Sequence, residues 1–381
     1  MTSAPRDLAL DALFLPFADG LLPWPVAHAG GAPALFLRAR EGAAMQRWRG
    51  PGLACTQAFK PEADRLERIG ATLLDEEALP HAAFPLVLVL PPRQREEARA
   101  LLAMACAAVA PGGIVVAAVA NDEGAKSREA DLKALAGPLT VLSKFHCRVF
   151  WTAPEASMDA GLQATWRNAD CVRSIASPDV PGGRFQTRPG VFAWDRVDAA
   201  SKLLAEHLPH SLRGRVADFG AGWGYLSMQV LARCPQVASI DLFEADGRAL
   251  ALAEANLGDA RVPLHFHWRD VAAGVAERFD AIVCNPPFHA LGRGDRPDLG
   301  RAFIAAAAAA LTPGGSLWLV ANRHLPYEEA LGAGFGQVRT VAQEGGFKII
   351  EAVKAMKATA SPDAARAATP DRHGKTSRMP R

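Results

Sequence analysis

Phe279-Asp-Ala-Ile-Val-Cys-Asn-Pro-Pro287 decides how the chain is read, because Phe84-Pro-Leu-Val-Leu-Val-Leu-Pro-Pro92 repeats its layout 195 residues earlier. Each is an apolar strand ending in a Pro-Pro turn. Each leads to an alanine-rich helix (Glu96 to Ala110; Arg301 to Leu311), a Pro-Gly-Gly stop (Pro111 to Gly113; Pro313 to Gly315) and another apolar strand. Strands too apolar to have a wet face, alternating with helices, indicate parallel strands covered on both sides. The expectation is a duplicated α/β fold with each sheet mainly parallel and flanked by helices.

The copies differ at the ends of their strands. Pro92 to Pro111 spans 19 positions and Pro287 to Pro313 spans 26, and the seven extra residues fall in His289-Ala-Leu-Gly-Arg-Gly-Asp-Arg-Pro-Asp298. Such sheets bind ligands beyond the carboxyl ends of their strands. Leu90 stands where the second copy has Asn285, and Ala34 to Leu37 is followed by Arg38-Ala-Arg-Glu-Gly42 without a glycine cluster. The first half reads as a degenerate copy that has lost its site.

Composition narrows the class without naming an activity. The 381 residues are 50% hydrophobic and 22% charged, which suits two globular domains and excludes a disordered or collagen-like chain. A net charge of +2 means that a polyanion must be met by a local patch. The six cysteines (Cys55, Cys106, Cys147, Cys171, Cys234, Cys284) form no C-x-x-C pair, so reduced thiols and a cytoplasmic setting are expected. Asp7, Asp11 and Asp19 interrupt the apolar N-terminus, which does not read as a secretory signal. The uncharged run Ala100 to Ala120 is long enough to span a membrane, but Pro111, Gly112 and Gly113 break it, so it is read as helix, turn and buried strand.

In Arg215-Val-Ala-Asp-Phe-Gly-Ala-Gly-Trp-Gly-Tyr-Leu-Ser-Met-Gln-Val230 a strand meets a glycine turn and then a helix. Gly220, Gly222 and Gly224 permit positive φ and let a ligand approach the backbone. A dinucleotide fingerprint would need glycine at Tyr225, so a nicotinamide or flavin is disfavoured. Asp218 could meet an ammonium or organise the loop, which suits an amino-acid ligand better than a pyrophosphate. Glu244, at the tip of the next strand (Val237 to Phe243), can accept from two ribose hydroxyls. Asp270, just past Leu264 to Trp268, could accept from an adenine amine or cap a turn. Asp246 is expected to cap the helix Gly247 to Leu257. His265 and His267 share a strand face, but with no third ligand evident they read as structural, and no metal is expected.

Asp218-x-Gly-x-Gly-x-Gly224 with Asn285-Pro-Pro-Phe-His289 resembles the class I S-adenosylmethionine-dependent methyltransferases that modify exocyclic amines. Pro189-Gly-Val-Phe192, Val320-Ala-Asn-Arg-His-Leu-Pro326 and Gly346-Phe-Lys348 extend the likeness to the ribosomal RNA small subunit methyltransferase C family, closely over residues 160 to 355. The resemblance implies two tandem Rossmann-like domains, a degenerate one at 1–155 and a catalytic one at 156–357, and the composition of 358–381, with five basic residues against Asp363 and Asp371, predicts a disordered basic tail. The resemblance also implies methyl transfer to the N2 amine of a guanine in small-subunit (16S) ribosomal RNA, in the cytoplasm, by a monomer.

In that reading the Asn285 amide oxygen and the Pro286 carbonyl would accept hydrogen bonds from the amine and orient it, Pro287 would stiffen the turn and Phe288 would stack on the base. Phe192, His289 and Arg293 would touch substrate, and Arg184, Arg188, Arg296 and Arg323 could meet phosphates. The alternatives are a large-subunit guanine-N2 or protein glutamine methyltransferase, and a non-catalytic RNA-binding assembly factor.

Overall fold

The computed structural model describes residues 6–26, 32–48, 52–287 and 297–356. The expectations for Phe288, His289, Arg293, Arg296 and the tail from Ala358 fall outside these residues. The first half supplies β1 (Ala34–Leu37), β2 (Leu53–Cys55), β3 (Thr72–Leu73), β4 (Phe84–Val89), β5 (Val109–Ala120), β6 (Leu139–Lys144) and β7 (Cys147–Thr152). A hairpin of β8 (Arg173–Ala176) and β9 (Arg184–Thr187) follows. The second half supplies β10 (Arg213–Phe219), β11 (Gln236–Glu244), β12 (Leu264–Trp268), β13 (Phe279–Cys284), β14 (Leu311–Asn322), β15 (Gln337–Glu344) and β16 (Phe347–Val353).

The two sheets have the same topology. One runs β3-β2-β1-β4-β5-β7-β6 and the other β12-β11-β10-β13-β14-β16-β15. Only the last strands are antiparallel: β7 against β5 and β6, β16 against β14 and β15. The apolar runs explain the burial. In β13, Ala281, Ile282, Val283 and Cys284 are all buried, as are Leu86, Val87, Leu88 and Val89 of β4. Burying each branched side chain contributes roughly 1.5 to 3 kcal/mol, and helices on both faces supply the cover.

Pro-Gly-Gly differs from its expected role. The helices end earlier, at Ala108 and Ala310, and each Pro-Gly-Gly lies inside the following twelve-residue strand as a bulge. Phe84 pairs with Val109 and Leu86 with Ile114; Phe279 pairs with Leu311 and Ala281 with Ser316. The chain must pass close to its neighbour there. A Cβ on Gly113 would lie 2.7 Å from the Pro85 carbonyl oxygen, and one on Gly315 would lie 2.9 Å from that of Asp280. Gly112 and Gly314 adopt φ of 78° and 79°. Two glycines per bulge meet those two demands, so the motif bends a strand rather than stopping a helix. The second helix also starts before Arg301, at Pro297, whose missing N–H costs nothing in a first turn.

The halves are joined at the carboxyl end of the second sheet. Lys60 N donates to Ala245 O (2.8 Å), Gly247 N to Ala58 O (2.8 Å) and Trp268 Nε1 to Ala58 O (3.0 Å). Buried Glu97 takes Arg38 of its own half and Arg248 of the other. The helix Ala160–Ala169, counted with the second unit in the sequence reading, packs Trp166 into the core of the first half. Among the described residues no helix is long and apolar enough to cross a membrane.

Candidate active site

The glycine turn joins β10 to the helix Tyr225–Arg233. Gly220, Gly222 and Gly224 have φ of 78°, 56° and 96°, and Gly220 N and Ala221 N both donate to Phe243 O of β11 (2.9 and 3.1 Å). The glycines serve different ends. A Cβ on Gly224 would press on Leu257 (3.0 Å) and Ala253 (3.3 Å), so this glycine lets a neighbouring helix approach, whereas the space beside Gly222 is open.

Asp218 lies beneath the turn, fully buried. Its Oδ2 accepts from Ser227 N (3.1 Å) and Ser227 Oγ (2.8 Å), while Oδ1 is buried without a partner among the described residues. Burial pushes its carboxyl up to about 7 against the pull of the Ser227 contacts. Of the two tasks open to this residue in sequence, organising the loop is the one its contacts perform.

Glu244 ends β11 at the open edge of the turn. It accepts from Gly222 N (2.7 Å) and Asp246 N (2.8 Å), tying the glycine loop to the strand tip, and burial raises its pKa above the usual range. Asp246 caps the helix Gly247–Leu257, accepting from Arg248 N (3.0 Å), as its position predicts. Asp270 caps a single 3₁₀ turn through Ala272 N (2.9 Å). His267 contacts the buried Asp241 at 2.9 Å, beside the two-pronged Arg215–Asp241 pair, and stacks on Phe243. Among the described residues no group of three His, Cys, Asp or Glu could hold a metal ion.

Asn285 follows β13 and faces the glycine turn: a Cβ on Gly220 would lie 3.8 Å from the Asn285 carbonyl oxygen. A small cleft of about 50 Å³ between them is lined by Phe192, Asp198, Ser201, Gly220, Gly222 and Asn285, among others. Asn285 Nδ2 donates to Asp198 Oδ2 (3.0 Å) and Ser201 Oγ (2.7 Å), whereas Oδ1 is buried with no partner among the described residues. Leaving an amide oxygen dry and unpaired costs about 1 to 3 kcal/mol, which a ligand's N–H would recover.

Phe192 is 65% exposed, between Gly190 at φ 87° and Ala193 at φ 52°, a positive angle that a non-glycine residue seldom adopts. Arg188 is paired with Asp170 at 2.6 Å, while Arg184 lies exposed on β9. A larger hollow of about 820 Å³ opens at the opposite, amino ends of the strands around Asp280 and Thr312, away from these groups.

The residues missed in sequence are Asp198 and Ser201. Asp198 is the cap of the helix Ala199–His207. The Asp-x-x-Ser spacing could have revealed the cap but not the contact to Asn285, which lies 87 positions away.

The chain is similar to known proteins in sequence and in fold. The Methyltransferase small domain family matches residues 182–351. Two proteins named ribosomal RNA small subunit methyltransferase C are similar: that of Shewanella halifaxensis is 31% identical over 71% of this chain and 78% of its own, and that of Psychromonas ingrahamii is 28% identical over 71% and 76%. A solved structure of the T. thermophilus 16S rRNA N2 G1207 methyltransferase, in complex with AdoMet and guanosine, superposes with a TM-score of 0.75 and 26% identity over 92% of both chains.

Proposed function

The chain belongs to the ribosomal RNA small subunit methyltransferase C family, and from that premise we propose that its Asn285 turn holds the N2 amine of a guanine for methylation. The enzyme is an S-adenosylmethionine-dependent methyltransferase of 16S ribosomal RNA. The observation that carries the site reading is the buried, unpartnered Oδ1 of Asn285 beside an open glycine turn.

The residues present suit S-adenosylmethionine. Gly222 has open space beside it, and Glu244 stands at the strand tip hydrogen-bonded to that turn. When bound, this cofactor supplies a methyl group already activated on a sulfonium. Gly220, Gly222 and Gly224 would shape its cradle, Glu244 would release its backbone donors to accept from ribose hydroxyls, and Asp270 would border the adenine. Asp218 would act from beneath by fixing the turn.

The remaining work falls to Asn285 and Pro286. A guanine amine is a poor nucleophile because its lone pair is delocalised into the ring. Asn285 Oδ1 and the Pro286 carbonyl would accept its two N–H groups, favouring a tetrahedral nitrogen whose lone pair points toward the glycine turn. Orientation in a dry cleft then supplies most of the acceleration. Pro287 would stiffen the turn, Phe288 would stack on the base, and Phe192, His289 and Arg293 would border it. The base would leave its stack to enter.

The same reading assigns catalysis to residues 156–357, leaves 1–155 as a supporting domain, and has a monomer working in the cytoplasm. The free state of all six cysteines supports that setting. Nucleoside mass spectrometry of small-subunit RNA incubated with the protein and S-adenosylmethionine tests it. The expected product is N2-methylguanosine; its absence, or its formation on large-subunit RNA instead, overturns the reading.

A further inference from the structure

We propose that Asp198 and Ser201 are positioning residues that set which end of the Asn285 amide faces the target amine. The inference rests on the function proposed above. A primary amide has nearly the same shape when turned over, yet its two ends are chemical opposites. With the oxygen toward the cleft it accepts from the substrate amine; with the NH₂ toward the cleft it would meet that amine donor to donor. Something must choose.

The choice lies in the helix Ala199–His207. Asp198 Oδ2 accepts from Ser201 N (2.8 Å), capping the helix, and also from Asn285 Nδ2 (3.0 Å). Ser201 Oγ lies 2.7 Å from the same nitrogen. A reversed amide would put Oδ1 against a carboxylate oxygen, two acceptors with no proton between them. The two contacts therefore hold Nδ2 back and leave Oδ1 dry and free.

Their base is rigid. Ala200, Leu204 and Ala205 bury the helix in the core that also holds Trp318 and Val320 of β14, as precise placement of a reacting group requires. The N-cap role alone explains the Ser201 N contact but not why a second donor, 87 positions along the chain, shares the same oxygen.

Asp198→Ser separates the two roles, since serine is a good cap but its shorter side chain does not reach the amide. Together with Ser201→Ala it is expected to unfold near the parent's temperature and to bind S-adenosylmethionine within about threefold of the parent. kcat should fall about thirtyfold for Asp198→Ser and about fivefold for Ser201→Ala, with KM for RNA little changed. Asn285→Asp alone sets two carboxylates face to face and should lose at least about a hundredfold. Adding Asp198→Asn restores a donor facing an acceptor and should recover about tenfold of that loss.

Parent-like rates in either folded variant, or an interchange no faster than Asn285→Asp alone, overturn the assignment. If Asp198→Ser does not fold, Ser201→Ala and the interchange decide. Should the parent form no N2-methylguanosine, the functional reading fails instead. The Asn285 side-chain amide signal in ¹⁵N NMR then decides the positioning claim: it holds if the amide is protected from exchange in the parent and exposed in Ser201→Ala, and falls if the two are alike.

Discussion

Set side by side, the two sheets separate what makes this fold from what makes a site. β5 and β14 are both twelve residues long and share one burial pattern, and both sheets order their strands identically. The register makes the halves comparable residue by residue: Ala34 pairs with Leu86 and Val216 with Ala281, so Arg38 answers to Gly220, Ala39 to Ala221 and Arg40 to Gly222. Ala39 N donates to Thr56 O as Ala221 N donates to Phe243 O. The bend has even kept its left-handed start, with φ of 53° at Arg38 and 78° at Gly220.

The chemistry has been exchanged for packing. Phe36 replaces Asp218 and Leu90 replaces Asn285, both buried. Arg38 is tied to Glu97 and Arg40 to Asp7, whereas the second copy has open space beside Gly222. A sheet topology therefore persists when a site does not, because one depends on apolar area and the other on the placement of a few polar atoms.

Moving first-copy residues into the second copy is the strongest way to sharpen this contrast. Asn285→Leu should cut kcat by about two to three orders of magnitude while cofactor affinity stays within about threefold, measured by single-turnover kinetics and calorimetry. A parent-like rate would mean that the amide does no work. Gly222→Arg, which installs the counterpart of Arg40, should weaken S-adenosylmethionine binding by at least about a hundredfold, through a blocked cradle and a strained positive φ. Titration calorimetry reads this directly, and undiminished binding would detach the glycine turn from the cofactor.

Two further changes probe how the halves depend on each other and on pH. Glu97→Ala strands Arg38 in a mostly buried junction and leaves Arg248 with Asp246 alone, so denaturant unfolding should show a loss of about 3 kcal/mol. A much smaller loss would show the junction to be replaceable. The smallest effect concerns Asp218, whose carboxyl lies at about 7 because of burial. A carboxyl raised in the folded state stabilises below its unfolded pKa and loses that contribution as pH rises through 7. Asp218→Asn should remove the penalty, so its stability gain over the parent grows by up to about 2 kcal/mol between pH 5 and 7. A gain that shrinks with rising pH would contradict the assigned shift.

Much of this was legible because it is local. The Pro-Pro turns and apolar runs marked β4, β5, β13 and β14, since strand, turn and helix follow from neighbouring residues. Pro-Gly-Gly misled for the opposite reason: its glycines answer to Pro85 and Asp280 on adjacent strands, not to the helix before them. Asp246 could be read as a cap from its position. Asp198 could not be read as a partner of Asn285, because nothing in the 87 positions between them carries that information.

By itself the order of residues determined the duplicated α/β architecture and showed that the glycine cluster and Asn285 of one copy are replaced in the other, all encoded in short-range pattern. Only folding decided how that amide is held, which glycine has open space beside it and which lets a helix approach, and that Asp218 lies beneath the loop. Each of those outcomes depends on hydrogen bonds and steric limits between strands and helices far apart in the chain, and such contacts exist only once the sheet has assembled.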